Sequence, residues 1–175
     1  TIQQSTSSIS NTKNDSIEIA SKPDENGFLN YENKTRGIQM KFPADWSIKS
    51  IPGSPGIFFF SPESSYADPA NLNIMAVPLP DSSISLDAFT AGSIENLKKT
   101  FTNFKLIDSH DSDLGDLKIH QVIYTGTFGQ DHGKFLQVWT LKNGKVYTLS
   151  FGGSPAAYDK FVKMAQKMII TFKIP

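Results

Sequence analysis

The dipeptide Asn143-Gly144, set between two runs of alternating apolar and polar residues, constrains this chain more than any other feature. Asn-Gly supplies the positive φ angles of a type I′ turn, whose twist matches that of two antiparallel strands leaving it. With Asn143 and Gly144 as the loop, Lys142 pairs with Lys145 and the register follows outward. Leu141 then faces Val146, Thr140 faces Tyr147, Trp139 faces Thr148, and Val138 faces Leu149. One side of this hairpin carries Leu136, Val138, Tyr147, Leu149 and Phe151; the other carries Trp139, Leu141 and Val146 among Gln137, Thr148 and Ser150. Alternation normally leaves one face wet. Here both faces hold large apolar groups, which predicts a sheet covered above and below.

The remaining pattern supplies the cover. At 175 residues the chain fits one domain plus a tail. Residues 1–27 are rich in Ser, Thr, Asn and Gln and lack aromatic side chains, so they read as a flexible stalk or linker, with Ile17, Ile19 and Ala20 as a local docking point. The globular domain is expected over residues 28–175. Within it, Ile38, Met40 and Phe42 alternate as a strand stopped by Pro43, and Trp46 caps the sheet from the turn that follows. Further strands are expected over 47–51, 57–60, 71–77, 104–107 and 117–125, with a last short one over 170–172. Asn33-Lys34-Thr35 is a glycosylation sequon.

Two helices punctuate these strands. Ser85 is the expected N-cap of the first, with Asp87 in its first turn and Leu86, Phe89, Ile94, Leu97 and Phe101 in one sector. Gly152-Gly153 ends the central hairpin, after which Ser154 caps and Pro155 opens the second helix. Its inner face is Tyr158, Phe161, Val162, Ala165, Met168 and Ile169. Seven or eight hairpin-linked strands with two amphipathic helices point to an α+β chain. Its economical form is a three-layer α/β/α sandwich around a central, mostly antiparallel sheet.

Several landmarks, in this order and spacing, resemble the PsbP family, the extrinsic subunits of the oxygen-evolving photosystem and their non-photosynthetic relatives. They are Gly37-Ile38 through Phe42-Pro43-Ala44-Asp45-Trp46, the strand Asn71 to Val77 ahead of the helix begun at Leu86, Gly144-Lys145-Val146-Tyr147, and Met168-Ile169-Ile170-Thr171-Phe172. The resemblance spans roughly residues 30 to 174. It implies the same α/β/α sandwich, a fold class that also includes a Ran-binding nuclear import factor and the DcrB and LpqN groups of small lipoproteins. It further implies a non-catalytic protein that binds partner proteins, sometimes metal ions, and is exported or tethered to a membrane. The stalk does not resemble the photosystem subunit's N-terminal arm.

Composition narrows the chemistry. Seventeen basic residues balance seventeen acidic ones with no clustered Lys/Arg stripe, which argues against nucleic acid as partner. The absence of cysteine removes disulfides, thiol catalysis and thiolate metal sites, and fits an extracytoplasmic location. No apolar run reaches the roughly 20 residues needed to span a bilayer. The start at Thr1 is expected to follow removal of an upstream segment.

Catalytic signatures are missing: there is no Gly-x-Ser-x-Gly elbow and no phosphate-cradling glycine loop. His120 reads as a satisfied sheet histidine. The expected role is therefore a non-enzymatic binding or assembly module, extracytoplasmic and tethered, acting on a membrane-associated partner protein. Trp139, Gln137 and Thr148, on the more polar hairpin face, are the candidate partner-binding residues. The alternative is a divalent-metal protein. Residues 108–116 read as an acidic loop in which Asp108, His110, Asp111 and Asp113 would take calcium, manganese or zinc, or simply form a solvated turn.

Overall fold

Asn143 and Gly144 adopt φ of 54° and 70°, and the strands they join pair in the expected register, from Lys142 with Lys145 out to Lys134 with Gly153. This hairpin is the centre of a computed structural model that describes residues 16–62 and 70–175. Three strands, β1 (Ile17–Ile19), β2 (Phe28–Asn33) and β3 (Ile38–Pro43), make a small antiparallel sheet in that order. Seven make the main sheet: β4 (Ser47–Ser50), β5 (Ile57–Phe60), β6 (Asn71–Pro78), β7 (Thr102–Leu114), β8 (Leu117–Phe128), β9 (Asp131–Lys142) and β10 (Lys145–Gly153). Their spatial order is β4-β5-β6-β10-β9-β8-β7, antiparallel throughout. Helix α1 (Leu86–Thr100) is capped by the Ser85 hydroxyl, which accepts the Ala88 amide at 3.1 Å. Helix α2 (Pro155–Ile169) is capped in the same way by Ser154.

The two covers are unequal. On one face, α2 lies over β9 and β10 and against β3, while the small sheet shields β5 through Tyr31 and Phe42, whose rings sit 5.4 and 5.3 Å from Phe59. Every large residue pointing this way is dry: Phe59, Leu72, Ile74, Leu136, Val138, Leu149 and Phe151. Trp46 joins the same core, edge-on to Phe161. On the other face α1 packs against β7 and β8 and reaches Trp139 of β9. Thr90 is its one buried residue; the apolar positions Leu86, Phe89, Ile94 and Leu97 are half-buried.

Several elements differ from their sequence patterns for identifiable reasons. The docking point at Ile17–Ile19 takes the form of an added strand on β2, so sheet structure begins ahead of Phe28; the rest of the stalk, 1–15, lies outside the described residues. The acidic stretch 108–114 is strand, not loop. Its turn residues are overridden by continuous pairing with β8 from Asp108↔Ile123 to Leu114↔Leu117, and the turn is confined to Gly115 and Asp116. The turn expected over 126–133 shrinks to Gly129 and Gln130. The final strand reduces to a single bridge between Gln39 and Lys173. The sequon asparagine Asn33 is buried, donating to the Tyr31 hydroxyl at 3.3 Å and accepting the Arg36 amide at 2.9 Å. It is a turn support.

Gly133 and Gly152 sit inside strands because the Phe135 ring lies flat across both; a Cβ at either would overlap the ring. That ring is held in turn by Phe101 and Tyr124, each 5.1 Å away. Gly152→Ala is therefore expected to lower stability by about 1–3 kcal/mol in urea unfolding, the usual cost of overpacking. Combining it with Phe135→Leu should cost less than the two single changes added.

Candidate functional site

The incomplete cover of the α1 side leaves a cleft of about 710 Å³. Its floor is the exposed part of the sheet, with Asn71 and Asn73 from β6, Ser150 from β10 and Phe135 from β9. One wall is the end of α1 at Thr100 and Phe101; the other is the tip of the β8–β9 hairpin, with Phe128, Asp131 and His132. The end of β10 at Gly152 and Gly153, with the α2 cap Ser154, closes the far side. The size falls within the roughly 300–1,000 Å³ of small-molecule and side-chain pockets.

Strand alternation explains the mixed lining. On β5, β6 and β10 the odd-even pattern sends Phe59, Leu72, Ile74 and Leu149 into the dry core. It sends Phe58, Phe60, Asn71, Asn73, Thr148 and Ser150 to the side α1 does not reach, where all are half-buried. The side chains of Asn71, Asn73 and Ser150 make no hydrogen bond to another described residue. The aromatic wall is ordered: Phe101 stands 5.1 Å from Phe135 and 6.0 Å from Phe128. Phe101 can approach β8 this closely because Gly126 lies under it without a Cβ. Phe128, at the rim, is 63% exposed. A ring so open, backed by an ordered cluster, is a docking feature rather than a core one.

The residues expected from sequence are distributed differently. Trp139 is 1% exposed beneath α1; its indole Nε1 donates to Thr90 Oγ1 at 2.8 Å, and Phe89 meets it edge-on at 6.1 Å. It is buried there and anchors the helix. Gln137 and Thr148 are half-buried on the same face, where Gln137 pairs across the ladder with the cleft residue Ser150. Of the metal candidates, pleating sends Asp108 and His110 to one face of β7 and Asp111 and Asp113 to the other, so the four do not converge. Each carboxylate already has a partner: Asp108 with His110, Asp111 with His120, Asp113 with Lys118. Among the described residues no three His, Cys, Asp or Glu side chains stand together as a metal site.

His120 is the most constrained titratable side chain. Its Nδ1 shares a hydrogen bond with Asp111 Oδ1 at 2.5 Å and its Nε2 with Ser109 Oγ at 2.9 Å, while the ring stacks on Trp139 at 5.6 Å. The contacts follow the order of a serine-hydrolase triad. The setting differs, because Asp111 has a side chain 69% exposed and none of the three lines either cleft. The ring's two nitrogens are satisfied across the strand pair, as a buried histidine requires. Nearby, burial raises the Tyr124 phenol above the ordinary tyrosine range.

A second cavity of about 390 Å³ lies between β2, β3 and the end of α2. Its Asp24 carboxylate is held below its ordinary pKa by the hydrogen bond from Lys41, 2.8 Å away, so this pair is already committed.

The architecture defined by these elements is an α/β/α sandwich with a second, smaller antiparallel sheet beside one helix. The chain belongs to the PsbP-like protein family, whose model matches residues 2–174. Solved structures share the fold. The cyanobacterial PsbP (CyanoP) of Synechocystis sp. PCC 6803 superposes with a TM-score of 0.64 at 17% identity, covering 85% of this chain and 93% of its own. LpqN, involved in cell envelope biogenesis of Mycobacterium tuberculosis, gives 0.60 at 15% identity over 79% and 83%. PA94 of Pseudomonas aeruginosa, a protein of unknown function, gives 0.58 at 19% identity over 74% and 88%. No curated protein matches the sequence.

Trp139 as a core residue makes a measurable claim. Trp139→Ala is expected to cost about 3–5 kcal/mol in urea unfolding. Thr90→Val should cost about 1–3 kcal/mol by leaving the indole N–H unpaired. The exposed His110→Ala should stay within about 0.5 kcal/mol of the parent.

Proposed function

We propose that this chain is an extracytoplasmic, non-catalytic binding module, tethered through its N-terminal stretch to a membrane and docking a partner protein on the α1 side of its sheet. The observation that carries the reading is the open cleft with its exposed rim ring, Phe128, beside polar side chains that have no partner among the described residues. Protein interfaces concentrate their affinity in such aromatic, partly enclosed positions. The location draws support from the cysteine-free composition, the Ser/Thr/Asn-rich residues 1–27, and LpqN's part in envelope biogenesis. No helix among the described residues is long and apolar enough to cross a membrane.

The test is site-specific photocrosslinking in the native membrane. A benzoylphenylalanine at position 128 of the full-length protein is expected to give one discrete adduct, and the same group at Lys163, on the outer face of α2, none. Adducts of equal yield at both positions, or at neither, would overturn the docking face.

A further inference from the structure

We infer that the cleft reads an extended, uncharged peptide segment bearing one aromatic side chain. This rests on the α1 side being the docking face and goes further by naming what the partner presents there. Asn71 and Asn73 are two residues apart on one strand, so their carboxamides project on the same face roughly 6.8 Å from each other. An extended peptide lying along β6 repeats its outward amide groups at the same interval. Each carboxamide carries both a donor and an acceptor, the complement of one peptide unit, and neither is used among the described residues. Ser150, paired with Asn73 across the ladder, extends the free polar stripe by one strand.

The aromatic wall sets the anchor. Phe101, Phe128 and Phe135 leave ring faces and edges around a single recess, and aromatic pairs in such offset or edge arrangements gain beyond simple burial. Charge sets the flanks. Among the described residues no Lys or Arg lines the cleft, and the titratable groups there, Asp131 and His132, stand at the hairpin rim. A phosphate or an acidic run would find no cation there, and a basic residue entering the recess would be desolvated without an anion at the floor.

Titration of the isotopically labelled full chain, followed by amide NMR, tests this with acetyl-Ser-Thr-Trp-Thr-Ser-amide as probe. The expected result is shifts at Asn71, Asn73 and Ser150, with affinity falling about tenfold or more when the central Trp is replaced by Ala, as for an interface anchor. The substitution Asn73→Ala, at a half-buried position on the cleft floor, should weaken the Trp peptide by a similar factor. Equal binding of the Trp and Ala peptides, shifts confined to other surfaces, or maltohexaose moving the same amides in place of the peptide would each overturn the inference. If position 128 still crosslinks a partner while the peptide fails, the docking face stands and the anchor chemistry falls. If the peptide binds and position 128 crosslinks nothing, the recess chemistry stands without the docking role.

Discussion

A seven-stranded sheet with apolar groups on both faces has to be covered twice, and the chain owns unequal means of doing so. Neighbouring strands lie roughly 4.8 Å apart, so the sheet is roughly 30 Å wide, whereas a helix with its side chains is roughly 10 Å across. On the dry side the width is shared between α2 and the small sheet, and the residues facing it are buried almost without exception. On the other side α1 is the one helix among the described residues that serves. It settles over Val122, Tyr124 and Trp139. Among the described residues the β4–β5–β6 half of that face has no second layer, and there Asn71 and Asn73 lie beside Phe58 and Phe60. The cleft is thus a consequence of the covering arithmetic, and its polarity a consequence of being left wet.

The central hairpin was legible because every level of the pattern agreed: turn dipeptide, alternation and the glycine pair that ends it. Register and face assignment follow from those residues alone. The long β7–β8 pairing was not legible, because Asp, Ser, His and Gly are ordinary turn residues and local propensity favours a loop at 108–116. Ten paired positions along β8 outweigh that preference, a contribution no window of sequence contains. The glycines tell the same story in reverse. Gly126 and Gly133 look like turn formers, yet they lie in strands as landing places for Phe101 and Phe135. A glycine inside an alternating run signals close approach of another group, and Phe101 and Phe135 were the rings available to make it.

Trp139 shows why the candidate site moved. Its neighbours on the hairpin face, Gln137 and Thr148, made that face look open, but the tryptophan lies at the one place on it that α1 crosses, with Thr90 supplying the acceptor its indole needs. Two residues along the same strands, about 6.8 Å, the helix has passed, and Gln137 and Ser150 are only half-buried. Polarity averaged over a strand face could not separate a covered Trp139 from an uncovered Ser150; only the path of α1 does.

The same geometry accounts for the apolar groups left on the open half. Phe58 and Phe60 stack on each other at 6.4 Å, and the Lys49 ammonium lies 5.0 Å from the Phe60 ring centre, so each is shielded on one side by a neighbour. Sheltered rings next to unbonded amides are a surface that water solvates poorly without the domain having to collapse onto it. The glycines beneath Phe135 and Phe101 hold the recess at its present depth, since side chains there would push both rings outward and fill it. What keeps the site open is therefore built into the backbone of β8, β9 and β10, the same strands whose pairing organises the fold.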